Sequence, residues 1–346
     1  MRLALLDILA CPMCADAPLE LFALAGSGPR LETGVLRCRG CDRFYPVQAG
    51  LPIMLPDGMR DARQADLLQR WRHRLPAGSR GALDADCARI RTCAAGSDDS
   101  LLARRREQSL RDRESGIYDS LYPDARHRAE IETYLSLCRP ERDLRTLEIG
   151  CGTGRVTRHL LAAGAEILAV DCSRASLEVL AARATGGVLD RVCGDAVHLP
   201  VRRDRFSLAV ALGVFYHLPG RDEREWALQA ALDALEPGGA LVVSLYNLSL
   251  PKRVGAALGL DPTGRKQGRK GDREGGIYFY RHGAAEARRW LGARAEVECF
   301  EGVNHQIPIV GRRIPDPLFA RLDGLLARTP LSLLLARELV ARVRKR

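Results

Sequence analysis

No apolar stretch in this chain approaches the ~18–20 residues that a membrane-spanning helix requires, so nothing in it reads as a transmembrane segment. The opening MRLALLDILACPMC lacks the cleavage pattern of a secretory signal peptide, and a soluble cytoplasmic protein is the expectation. Aromatic residues are scarce, at 5% of the composition. Single-stranded nucleic acid is commonly held by stacking its bases on aromatic rings, so that scarcity counts against an RNA-binding surface. Hydrophobic residues, by contrast, make up 46%, an ordinary share for a chain that buries a core, and the length of 346 residues allows two or three domains. Eleven cysteines in a cytosolic chain argue for metal binding or buried thiols rather than disulfides. The net charge is +10, and Lys and Arg exceed Asp and Glu by ten over residues 251–346 alone. Such a stretch can steer an anionic partner; an arginine-rich solvated face is an equally good account of it.

The most informative stretch is LEIGCGTGR, residues 147–155. A short apolar run ends at Glu148, glycines alternate at 150, 152 and 154, and helix-compatible residues 156–163 follow. Strand, tight glycine turn and helix N-terminus are how an α/β fold cradles a nucleotide-like ligand. Relative to the dinucleotide fingerprint G-x-G-x-x-G, the third glycine comes one residue early. A second apolar run, AEILAVD, ends at Asp171, where a carboxylate can accept from both hydroxyls of a ribose. VCGDAVHLP places Asp195 after a third strand, FSLAVALGVFYHL is a fourth strand running into a loop, and LEPGGALVVSLYN is a turn before a fifth. AEVECFEGV (295–303) and RELVARVRK (337–345) supply the sixth and seventh.

The E-x-G-x-G-x-G form and the order of these elements resemble class I methyltransferases that use S-adenosylmethionine (SAM), the small-metabolite enzymes in particular. The resemblance implies an α/β fold with a Rossmann-like, seven-stranded mixed sheet, preceded here by a small zinc-ribbon domain. It implies SAM contacts from Glu148, Gly150, Cys151, Gly152, Gly154, Asp171, Cys172, Asp195, Ala196 and Leu212. His217, in VFYHL, stands where related small-molecule enzymes often carry a His, and is the candidate general base; lining the pocket is the alternative role. Gly213-Val214-Phe215-Tyr216 stands in place of the N-P-P-Y type loop, which counts against adenine and glutamine nitrogen acceptors.

Toward the N-terminus, Cys11-Pro12-Met13-Cys14 and Cys38-Arg39-Gly40-Cys41 form two C-x₂-C knuckles separated by residues 15–37. Two knuckles complete a tetrahedral Cys₄ shell for a structural zinc ion, with no open coordination position. The surrounding sequence resembles the zinc-ribbon activator subunits of tRNA and release-factor methyltransferases and their bacterial relatives. In those, an apolar face corresponding to Phe44, Tyr45, Val47, Leu51, Pro52 and Ile53 packs on a methyltransferase, which suggests an internal version of that pairing.

The expected organisation is a Cys₄ ribbon at 1–57, a helical linker with a flexible loop at 58–115, and a methyltransferase domain at 116–346. PAGSRGALDADCARIRTCAAGSDDS reads as the loop. The resemblance lays residues 251–276, with Tyr278, Tyr280, Arg281 and His282, over the acceptor, and Asn304, His305 and Gln306 could reach it; for each of these, packing in a surface loop or lid is the favoured role, since no spacing rule ties them to chemistry. Three functions stay open: a methyltransferase acting on a small molecule, the preferred reading; one modifying tRNA or another RNA; and a SAM-binding regulatory protein.

Overall fold

The computed structural model describes the chain except residues 16, 96–98, 122–123, 260–265, 271–275, 306–315, 328 and 330. The N-terminal part builds β1 (Leu19–Ser27), β2 (Arg30–Cys38), β3 (Phe44–Gln48) and β4 (Leu51–Met54). Four helices follow: α1 (Ala62–Trp71), α2 (Ala77–Ala95), α3 (Asp99–Glu114) and α4 (Asp124–Cys138). Strands and helices then alternate through β5 (Arg145–Ile149), α5 (Thr157–Ala162), β6 (Glu166–Asp171), α6 (Arg174–Arg183), β7 (Val188–Gly194), β8 (Phe206–Ala211), α7 (Arg221–Ala234) and β9 (Leu235–Asn247). The C-terminal part adds α8 (Leu250–Ala257), β10 (Gln267–Lys270), β11 (Ile277–His282), α9 (Ala284–Gly292), β12 (Ala295–His305), α10 (Asp316–Ala327), α11 (Ser332–Leu335) and β13 (Ala336–Lys345).

β5 and β6 are almost continuously buried, as befits central parallel strands covered on both faces. They lie within a seven-stranded order β7-β6-β5-β8-β9-β13-β12, in which β13 is antiparallel to both its neighbours. This is the mixed sheet that the sequence leads one to expect. Its far edge, however, is not free. β4 pairs in parallel with β7, Ile53 opposite Cys193 and Met54 opposite Gly194, so the N-terminal strands continue the same sheet. That covers an edge that would otherwise expose unpaired backbone groups.

The cores merge as well. Tyr45, Val47 and Met54 share a buried cluster with Leu147, Val170 and Val192, while Leu51 and Ile53 join Ile167, Leu177 and Cys193. Phe44 departs from the expectation. It packs with Ala65, Leu68, Leu83, Cys87 and Ile90, against α1 and α2 rather than the methyltransferase-like sheet. The loop expected over residues 76–100 is mostly helix. Leu83, Cys87 and Ile90, at helical spacing, form the buried stripe of α2 that its Gly, Ser and Asp content disguises. Buried Asp86 accepts from the Phe44 amide at 2.9 Å and pairs with buried Arg60 at 2.8 Å, pinning α2 to β3. Among the described residues, no helix is long and apolar enough to cross a membrane.

Candidate functional site

A cavity opens at the C-terminal ends of β5, β6, β7, β8 and β9, where open α/β sheets bind ligands. Gly150 (φ +70°) begins the turn after β5, and a Cβ there would stand 2.2 Å from Val214 Cγ2. Gly152 (φ +54°) has open space where its Cβ would be, so ligand can approach that backbone closely. Cys151, Cys172, Ala196 and Leu212 line the cavity with these two glycines. Gly154 is not among the lining residues; it closes against Leu180 behind the turn.

Three carboxylates stand along the strand ends. Asp171 accepts from the Gly152 amide through Oδ2 and from the Ser173 amide through Oδ1, each at 2.8 Å. These bonds fix the carboxylate, and each oxygen retains a second lone pair for a ligand hydroxyl. Burial nonetheless raises its pKa, with the two amides opposing. Asp195 is 2.7 Å from Arg104 and 3.3 Å from His198; burial would raise its carboxyl, but His198 and Arg104 outweigh that and hold it below the usual range. Glu148 is buried, its Oε2 has no hydrogen-bond partner among the described residues, and burial pushes its carboxyl up to about 7. A buried carboxylate oxygen left in that condition is a place where a ligand cation gains most.

The cavity is roofed by α3, which composition had assigned to a linker. Arg104, Gln108 and Asp112 recur every fourth residue and so share one helix face. Arg104 also reaches Glu223 at 3.0 Å, Gln108 donates to the Cys172 carbonyl at 2.9 Å, and Asp112 accepts from the Ser173 hydroxyl at 2.6 Å. Glu107 and Arg111, on the neighbouring stripe, line the cavity itself. Helical character from Leu101 to Leu137 is legible in the sequence, and the resemblance implies that such N-terminal helices cap the pocket; which side chains face it is not legible there.

At the inner end His217 lines the cavity, with Nδ1 2.8 Å from the Tyr278 carbonyl oxygen. A carbonyl only accepts, so Nδ1 carries the hydrogen and Nε2 keeps its lone pair. Burial lowers the His217 pKa, which keeps the ring neutral. Tyr216 and Tyr246 stack beside it at 3.6 Å between ring centroids. Sequence reasoning missed Glu130, Arg155, Arg337 and Glu338, which complete this end. Glu130 pairs with Arg155 at 3.0 Å and accepts from Asn304, and Glu338 accepts from Tyr134 at 3.1 Å. Arg155 closes LEIGCGTGR without a role assigned by that pattern, and no motif marks Glu130 of α4 or Arg337 and Glu338 of β13, because these elements meet only in the folded chain.

Several residues weighed as acceptor contacts instead have the packing roles that the sequence favours for them. His305 is buried away from the cavity, bridging Asp323 (2.7 Å) and the Ser332 hydroxyl (2.9 Å), and so ties α10 and α11 to β12. Asn304 touches the cavity only through Glu130. Tyr280 bonds Glu286 at 2.8 Å and His282 stacks on Trp290, both outside the lining, as is Arg281. Tyr278 contributes its carbonyl to His217. Gln306, and much of the expected cover at 251–276, lie outside the described residues.

Outside this cavity's lining, the sulfur atoms of Cys11, Cys14, Cys38 and Cys41 lie within 4.8 Å of one another, with Cys14–Cys38 at 3.2 Å and Cys11–Cys41 at 3.6 Å. A tetrahedral ion with metal–sulfur distances near 2.3 Å needs sulfurs about 3.8 Å apart, so this donor set fits one such ion. Cys87 is not part of a second cluster; its thiol meets the Ala65 carbonyl inside α2's packing.

Two family models match the chain, that of a methyltransferase domain over residues 147–243 and that of Trm112p-like proteins over residues 2–50. Residues 2–50 are thus similar to Trm112p-like proteins and residues 147–243 to methyltransferase domains. Among curated proteins it is similar to the cypemycin N-terminal methyltransferase of a Streptomyces species, 30% identical over 32% of this chain and 46% of that protein. It is similar too to the ubiquinone biosynthesis O-methyltransferase of Cereibacter sphaeroides, 30% identical over 38% and 52%. The chain spans about half the length of the curated relatives it matches. Among solved structures it is similar to a chain from a complex of the Haloferax volcanii Trm112 methyltransferase activator, at 16% identity and a TM-score of 0.48, over 68% of this chain and 97% of that one.

Proposed function

We propose that this union of a Trm112p-like domain with a methyltransferase domain is a SAM-dependent methyltransferase acting on the hydroxyl of a small molecule. The observation that carries it is the line of buried carboxylates at the strand ends beside the open backbone of Gly152. When bound, SAM supplies an electrophilic methyl group on a sulfonium, whose carbon–sulfur electron pair returns to sulfur on transfer. Glu148 would meet the ammonium of its amino-acid part, Asp171 its ribose hydroxyls, and Asp195 the adenine edge. α3 covers that end and excludes water, which strengthens each of these contacts. His217, neutral with Nε2 as acceptor, would take the proton that an acceptor hydroxyl loses as its oxygen binds the methyl carbon. An O-methyltransferase among the relatives supports a hydroxyl acceptor. Zinc in the Cys₄ cluster would be structural, since four thiolates leave no position for substrate.

His217→Ala should lower turnover by about 10²–10⁴-fold, the usual worth of a positioned base, while leaving SAM affinity unchanged in a binding titration. A second expectation concerns pH. A carboxyl raised from its ordinary 4.5 to about 7 keeps its proton in the folded chain where the unfolded chain has lost it. Stability of the ligand-free protein should therefore fall as pH rises from 4.5 to about 7, with Glu130, also pushed up to about 7 chiefly by burial, adding to the trend. Cationic SAM should bind more tightly across the same window, as Glu148 ionises, and Glu148→Gln should flatten that rise; a pH-independent affinity in the unaltered protein would contradict the assignment.

The acceptor class is tested by incubating the protein with methyl-tritiated SAM and a fractionated cell extract. Label is expected in the small-molecule fraction. Label in tRNA or rRNA instead would move the acceptor to RNA, and label in neither would favour a SAM-binding regulatory protein.

A further inference from the structure

Arg337 stands at the start of β13 and lines the inner end of the cavity, half-buried. Its guanidinium carbon is 5.9 Å from the Tyr246 ring centroid, and the Tyr246 phenol is a polar neighbour. Among the described residues, no carboxylate lies within salt-bridge distance of it. The two acids closest in charge influence are committed elsewhere, Glu130 to Arg155 and Asn304, and Glu338 to Tyr134. Every other arginine on the cavity wall has a charged partner: Arg104 has Asp195 and Glu223, Arg111 has Glu107 and Glu114, and Arg155 has Glu130. A guanidinium cannot shed its proton to escape burial, and its fork of donors matches a planar anion.

The adjoining geometry says which part of a ligand would meet it. The His217 ring lies 6.1 Å from the same Tyr246 ring, and both side chains line the one cavity. Both groups are therefore offered to a ligand in that cavity. We infer that the methyl acceptor is a small hydroxylated acid, whose carboxylate pairs with Arg337 while its hydroxyl faces His217. This rests on the methyltransferase reading and narrows it: Arg337 is a specificity-determining residue that selects an anionic acceptor. The raised carboxyl of Glu130, about 7 mainly through burial, agrees with it, because a partly protonated neighbour offsets the guanidinium less.

The test uses the full chain saturated with S-adenosylhomocysteine (SAH), the product that SAM leaves, and two probes that differ in charge. These are 3-hydroxybenzoate and its uncharged analogue 3-hydroxybenzamide, titrated by calorimetry at millimolar concentrations. The acid should bind saturably and at least about 10-fold more tightly than the amide, a ratio within the worth of one charge-assisted pair. Arg337→Met should erase that preference and Arg337→Lys should keep part of it, which separates a lost contact from a lost fold; SAH affinity should hold in both. Equal binding of the two probes, no saturable binding of the acid, or an undiminished preference in Arg337→Met would overturn the inference. So would a fall in SAH affinity in Arg337→Met, which would give the guanidinium to the cofactor's own carboxylate. Failure of the unaltered protein to bind SAH in the first titration would instead strike down the methyltransferase reading, and this inference with it.

Discussion

Removing the metal from the Cys11, Cys14, Cys38 and Cys41 cluster, by chelation or by Cys38→Ser, should weaken SAM binding as well as unfold the N-terminal strands. The chain of contacts is short. Arg43, next to the second knuckle, pairs with Asp57 at 2.6 Å. The following Gly58 carbonyl accepts from Arg105 of α3 at 2.7 Å, and Met59 lines the cavity. β4 meanwhile adds its pairs to β7, whose end carries Asp195. Loss of a structural metal belongs with the changes that cost more than about 4 kcal/mol. At about 2.1 cal/mol/K of unfolding entropy per residue, a chain of 346 residues loses roughly 1.4 °C per kcal/mol, so the melting midpoint should fall by at least about 5 °C. Calorimetric melting, metal analysis and a SAM titration on the same samples check this. Elemental analysis that finds iron with sulfide, or no metal in freshly purified protein, would contradict the zinc assignment; a metal-free protein with unaltered SAM affinity would contradict the coupling.

The second large effect is expected at Asp171. Alanine there would remove the proposed ribose acceptor and also release the Gly152 amide and the first turn of α6, where Ser173 caps the helix. Hydrogen bonds to a charged group are worth about 1.5–3 kcal/mol, or roughly 10- to 150-fold in affinity. The structure places the expected loss at the upper end of that range, because loop and ligand lose the same partner. Asp171→Asn keeps one acceptor oxygen and should fall between the two. Calorimetry showing SAM affinity equal in Asp171→Ala and the unaltered protein would remove the residue from the site.

The parts of this protein that could be read from sequence are those that local chemistry dictates. The glycine turn at 150–154 and the acids at strand ends follow from what a tight turn and a buried strand demand, and the two Cys knuckles from what a metal demands. The seven-stranded sheet is legible for the same reason, since each strand is a short apolar run bounded by turn residues. What resisted reading depends on which surfaces meet. α2 was hidden by a glycine- and serine-rich composition, although Leu83, Cys87 and Ile90 keep helical spacing. That α3 helps cap the cavity follows from the resemblance, but it carries charges on all sides, so which of them face inward appears only when Arg104 meets Asp195. His305 had the chemistry of a site residue, yet Asp323 and Ser332 absorb both its nitrogens. Arg337 and Glu338 sit in an ordinary β-strand near the end of the chain, and only the pairing of β13 with β9 brings them beside Tyr246.

The central claim, that the cavity at the ends of β5 to β9 holds SAM, is tested most directly by a crystal structure of the protein grown with SAH. The account predicts one molecule per chain, with its ribose hydroxyls on the Asp171 carboxylate, its ammonium toward Glu148 and its sulfur facing the end lined by His217. A fully formed but vacant cavity at saturating SAH, or a nucleoside bound with Asp171 out of hydrogen-bonding reach, would contradict it.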